Sequence, residues 1–114
     1  MAPRSETAMA QVSPHIYQLF ITELNQHLSK AHTELFAEVP PSPLEAKEIG
    51  RRFHTIRGGA GFLGIEDVAD KAAVLDQLLR KSSEQIVENL DKVRETLLEL
   101  ESVAAALPTR SSDT

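Results

Sequence analysis

Hydrophobic positions along this chain recur at steps of three and four, in four successive stretches. That is the period of helices that bury one face. In the first stretch Ile16, Phe20, Leu24, Leu28, Ala31 and Leu35 share a stripe. Ser13-Pro14 offers an N-cap followed by proline at the first helical position, and Pro40-Pro41 stops the helix after about Glu38. The second stretch opens on Ser42-Pro43-Leu44-Glu45, a capping box with proline again at the first position. Its stripe is Ala46, Ile49, Phe53, Ile56, Ala60 and Leu63, and Gly64 supplies the stop. The third carries Val68, Ala72, Leu75 and Leu79 on one face. Ser82 with Gln85 reads as another capping box, and Ile86, Leu90, Val93, Leu97, Leu100, Ala104 and Leu107 then form a bundle seam.

The links at 39–42, 64–66 and 81–83 are short, which makes successive helices antiparallel neighbours. The expectation is an all-α fold, an antiparallel up-down four-helix bundle over residues 13–107. Residues 1–12 and 108–114 are polar and without period, and are expected to be disordered segments.

Composition supports that fold. A length of 114 residues suits one domain with one modest core. Aromatic content of 4% and the lack of Trp favour packed helices over a sheet. With no cysteine, disulfides and thiolate metal sites are excluded. No apolar run approaches the roughly 20 residues that span a bilayer. The first residues, MAPRSETAMAQ, lack the apolar stretch of a signal peptide, so a cytoplasmic location is expected, away from membranes.

A net charge of −5 argues against nucleic acid as the main partner. The charge is uneven, however. Lys47, Arg51, Arg52 and Arg57 gather around His54, whereas the last third is rich in Glu and Asp.

The second helix is also rich in glycine. In "HTIRGGAGFLG", residues 54–64, Gly58, Gly59, Gly61 and Gly64 follow one histidine, and Gly50 precedes it. Each glycine inside a helix costs about 1 kcal/mol against alanine. At about 100° per residue, Lys47, Gly50, Arg51, Arg57, Gly58 and Gly61 fall within about 60° of His54, away from the apolar stripe. Glycines on that strip remove the side chains stacked above and below the imidazole. A second macromolecule can then bring a flat active site down onto the ring. The cations suit an anion held there, most simply a phosphoryl group. Gly59 falls on the other side of the helix, where close packing is its expected use. Taken singly, these features are those of any surface helix; their coincidence on one strip points to a site.

The stretch closely resembles the signature of histidine-containing phosphotransfer (HPt) domains, including the N-terminal HPt domain of chemotaxis-type histidine kinases. The pattern of His, two residues, Lys or Arg, Gly, small residues and a hydrophobic-Gly ending is met by His54, Arg57, Gly58, Ala60, Gly61, Leu63 and Gly64. Many members have Lys where this chain has Arg57, which keeps the charge but replaces a point charge with a planar fork.

The resemblance implies a phosphorelay role. His54 would accept a phosphoryl group and exchange it with an aspartate on a response-regulator receiver domain, with a histidine kinase as the other partner. It places Mg²⁺ and the aspartate on the partner, so no cofactor and no nucleotide site are expected here. The chain would be a monomeric phosphotransfer intermediate, not an enzyme in its own right. An imidazole suits the task, with an unperturbed pKa of about 6.5. The resemblance also implies a partner for its other nitrogen, a glutamate on the third helix in chemotaxis-type domains. Counting without gaps puts that position at Asp76, which flanks the third stripe. Aspartate is one methylene shorter, so a direct contact, a water-mediated one and a plain surface carboxylate all stay open.

Two rival readings remain. A non-catalytic four-helix interaction module could bind a receiver or kinase domain without transferring phosphate; the intact His54 and its glycine-lined face count against it. A hydrolase with a His–Asp pair lacks a nucleophile, oxyanion donors and a pocket. His15, His27 and His32 show no zinc-binding helix spacing and have no Cys to assist them, so no metal site is expected.

Overall fold

The computed structural model describes residues 14–81 and 86–108, with the side chains of residues 81, 86 and 87 left out. Among the described residues the fold has four helices: α1 (Pro14–Leu35), α2 (Pro43–Leu63), α3 (Glu66–Lys81) and α4 (Ile86–Ala105). No strand occurs among the described residues. Each helix runs against the next. Late α2 meets early α1 at Gly59 and Phe20; Gly50 of α2 meets late α3 at Leu79 and Arg80; Lys71 of α3 pairs with Glu99 of α4. The bundle closes where the Tyr17 hydroxyl of α1 donates to the Pro108 carbonyl just beyond α4. The result is an all-α, antiparallel four-helix bundle.

Local chemistry sets the ends of α2. Ser42 Oγ accepts from the Glu45 N–H at 3.1 Å, and Glu45 Oε1 accepts from the Ser42 N–H at 2.8 Å. This reciprocal box satisfies two of the helix's orphan donors. At the other end Gly64 takes φ 78°, ψ 19°, a left-handed conformation that costs any residue with a Cβ. The Ile65 N–H then bonds Ala60 O at 2.8 Å and the Gly64 N–H bonds Gly61 O at 3.1 Å, closing the last turn.

The core follows the stripes. All six positions of the second and all four of the third are buried, with Phe53, Ile49, Leu75 and Leu79 among the most enclosed. Each such side chain contributes about 1.5–3 kcal/mol by leaving water. Phe53 sits next to His54 and thereby fixes the rotation of α2 about its axis.

Three details differ from the pattern. α1 ends at Leu35, three residues short of Glu38, and its terminal carbonyl accepts from Arg94 Nε of α4 at 2.7 Å. Ile16 is 47% exposed, whereas Ile21 is buried. Repeated steps of four drift by about 40° per turn, which rotates Ile16 off the stripe that Ile21, Leu24 and Leu28 form. α4 ends at Ala105, and Leu107 lies in the turn beyond it, still packed against the core. The Ser13 cap, the Ser82/Gln85 box, and residues 1–12 and 109–114 lie outside the described residues. Pro108, assigned by the pattern to the tail, is held by Tyr17. No helix among the described residues is long and apolar enough to cross a membrane.

Candidate functional site

Of the charged side chains, one stands out by its burial. Asp76 is 3% exposed, and the only other buried polar residue among those described is Thr96, whose hydroxyl bonds its own helix at Lys92 O. Burying a carboxylate is costly unless it is paired and hydrogen-bonded. Asp76 flanks Leu75 and Leu79, which carry it into the seam between α3 and α2.

Two partners meet it there. His54 Nδ1 lies 3.0 Å from Asp76 Oδ2. Arg80, one turn further along α3, donates from Nη2 to the same oxygen at 3.2 Å. Its Nε stands 2.5 Å from Oδ1, a charge contact without hydrogen-bond alignment. The contact between Asp76 and His54 is direct, which settles the alternatives left by the shorter side chain in favour of a bond without a bridging water.

The imidazole sits on the rim. The His54 side chain is 55% exposed, against 4% for the Asp76 side chain. With Nδ1 turned to Asp76, Nε2 is the nitrogen left for chemistry. A cation on a neighbouring carboxylate and a carboxylate on an imidazole form a chain that fixes the ring's tautomer and orientation.

The strip around His54 divides into parts. Gly58 and Gly61 are open: a Cβ built on either would meet nothing within 4 Å. Lys47, Arg51 and Arg57 are exposed and form no ion pair among the described residues. Among the described residues no hydrogen bond or ion pair joins any of them to His54, whose recorded partner is Asp76.

Gly50 is a correction. It was expected to clear space above the ring, as a partner-facing position, but it is buried under α3. A Cβ there would lie 2.6 Å from Arg80 Cγ and 3.2 Å from Leu79 Cβ, so its missing side chain serves helix packing. Arg52 also leaves the cluster. It faces α1, where Nη1 and Nη2 donate to both oxygens of Glu34 at 2.7 and 3.1 Å. The bond to Glu34 raises the Arg52 pKa above its ordinary value, against the opposing effect of burial. Gly59 behaves as the helical geometry indicated, with its Cα against the Phe20 ring.

Arg80 was missed altogether. The signal was present, since Asp76 and Arg80 stand at i, i+4 with the acid first, the favourable order on a helix. Its importance shows only once Asp76 is seen to be buried.

A half-exposed imidazole, backed by a buried and clamped carboxylate and flanked by open glycines and cations, fits a phosphoryl carrier. The family model of the Hpt domain matches residues 15–106. The chain belongs to the Hpt domain family. Hpt domains are phosphotransfer modules that carry phosphoryl groups on histidine in two-component phosphorelays, and they interact with receiver and kinase domains. No curated protein and no solved structure matches this Hpt domain.

Proposed function

We propose that this Hpt domain accepts a phosphoryl group on Nε2 of His54 and passes it to, or takes it from, an aspartate of a response-regulator receiver domain. The observation that carries the reading is the direct bond from the exposed imidazole to buried Asp76, on the face that Gly58 and Gly61 leave open.

In the loading direction, the Nε2 lone pair attacks the phosphorus of an acyl phosphate. The N–P bond forms as the P–O bond to the donor aspartate breaks, and the carboxylate leaves with that electron pair. The proton on Nδ1 stays in its bond to Asp76, whose charge offsets the positive ring. The reverse transfer uses the same contacts. Such chemistry asks mainly for positioning and charge neutralisation. Lys47, Arg51 and Arg57 provide charge on this side, and Mg²⁺ belongs with the receiver. The domain works as a monomeric carrier without a nucleotide site of its own.

The test is to incubate the protein with a phosphorylated receiver domain, or with a histidine kinase and labelled ATP, and to assay acid-labile, base-stable phosphate. Wild type takes up label and His54→Gln takes up none. Absence of uptake by wild type, or equal uptake by the variant, overturns the proposal and leaves a module that binds without transferring.

A further inference from the structure

Asp76 reaches His54 on the neighbouring helix with the shortest acidic side chain, so α2 and α3 must approach closely at that level. One turn before His54 on α2 stands Gly50, and one turn after Asp76 on α3 stand Leu79 and Arg80. A Cβ at Gly50 would come to 2.6 Å from Arg80 Cγ and 3.2 Å from Leu79 Cβ. Neither neighbour can yield independently. Leu79 Cβ is fixed to the α3 backbone, and the side chain is fully buried in the core. Arg80 Cγ lies between that backbone and a guanidinium held against Asp76. An added methyl must therefore push α3 off α2 or swing Arg80 away from the carboxylate. Either movement reaches Asp76.

We propose that Gly50 is a positioning residue for His54. By letting α3 close onto α2, it sets a gap that an aspartate spans to Nδ1, and the space left by its missing side chain holds the Arg80 stem that clamps that aspartate. Gly50 and Asp76 are then a matched pair, a missing side chain on one helix and a short carboxylate on the next. A wider gap calls for glutamate; the present gap does not fit it. The consequence is chemical. Donation from Nδ1–H to Asp76 keeps the lone pair on Nε2, and loss of that bond releases the ring to its ordinary tautomer mixture. The weight of this for phosphotransfer rests on the function proposed above, but the tautomer itself does not.

The experiment follows from that separation. Long-range ¹H–¹⁵N spectra of the full chain at neutral pH report the His54 tautomer without any phosphodonor. Wild type should show the Nδ1–H form. Gly50→Ala should lose that preference and drift to the mixture of an unrestrained imidazole, while circular dichroism shows the helices retained. Gly50→Ala combined with Asp76→Glu should regain the Nδ1–H form, and Asp76→Glu alone should fall below wild type. The proposal is overturned if Gly50→Ala keeps the wild-type tautomer or if the double variant does not recover it. Should Gly50→Ala fail to fold, Asp76→Glu alone decides, and an unchanged tautomer there overturns the matched pair. In parallel, phosphoryl uptake by Gly50→Ala should slow by about tenfold with little change in KM for the donor, and recover in the double variant. If the tautomer follows this pattern while wild type takes up no phosphate, only the phosphotransfer reading is lost.

Discussion

Among the described residues, His54 and His32 each meet a carboxylate on another helix through Nδ1. His54 of α2 faces Asp76 of α3 at 3.0 Å, and His32 of α1 faces Glu101 of α4 at 2.8 Å. Both imidazoles are about half exposed, and by distance alone the second pair is the tighter. Their surroundings differ. Asp76 is buried and clamped by Arg80, whereas the Glu101 side chain keeps 29% of its surface in water. The His54 strip carries two glycines with open space above them. The His32 ring is instead stacked on Phe36, centroids 4.4 Å apart at 20°, with the Arg94 guanidinium 5.4 Å from the Phe36 centroid. A histidine–carboxylate bond is therefore not by itself a site. At His54 the carboxylate is immobilised and the imidazole can be approached; at His32 the ring is part of a tie between α1 and α4.

Removing each imidazole should give the largest difference between the two pairs. His54→Gln is expected to abolish acid-labile phosphate, and His32→Gln to leave uptake at the wild-type rate; label retained in the first or lost in the second would erase the distinction. The carboxylates come next. Asp76→Asn removes a charge-assisted bond and should slow transfer by about 10–100-fold, the kinetic equivalent of about 1.5–3 kcal/mol. Glu101→Gln should leave transfer unchanged and alter stability by less than about 1 kcal/mol, read from denaturant midpoints.

The glycines give a smaller and more selective contrast. Gly58→Glu points into open space, so the melting temperature should hold while KM for a phosphorylated receiver rises. Gly59→Ala would press on the Phe20 ring, where a Cβ falls 2.9 Å from Cε1. Overpacking of that kind costs about 1–3 kcal/mol, partly offset by alanine's better helix propensity. Here stability should drop and transfer kinetics should not.

The smallest effect belongs to the exposed pair Lys71–Glu99. The bond from Lys71 holds Glu99 below its ordinary value of 4.5. A carboxylate whose folded pKa is lowered contributes stability above its unfolded pKa and loses it as acid protonates the folded form. Any stability difference between wild type and Glu99→Gln should therefore be present at neutral pH and fade below about pH 4.5. A difference that persists in acid would show that the substitution acts by some route other than the ion pair.

The helices were legible because their signals are local. Ser42 and Glu45 lie within one turn, Gly64 needs only its own φ, and a stripe such as Ala46, Ile49, Phe53 repeats within two. The strip of His54, Arg57, Gly58 and Gly61 was legible for the same reason, being one face of one helix. Gly50 was misread because a helical wheel places it beside His54 but does not say where the neighbouring helix crosses. Arg52 was grouped with the other cations because its partner, Glu34, lies on α1. Arg80 went unnoticed because an i, i+4 acid–base pair is common, and only the burial of Asp76 gives this one weight.

By itself, then, the sequence determined four amphipathic helices, both caps of α2 and its histidine-bearing face, since each depends on interactions within a turn or two of chain. It also carried the Hpt motif and the position of Asp76. Tertiary structure alone decided which glycine clears the imidazole and which one admits α3, that the Asp76 contact is direct, and that Arg80 clamps it. Those outcomes depend on the spacing and register of two helices across a packed seam. Differences of a few tenths of an ångström there decide whether an aspartate can reach His54.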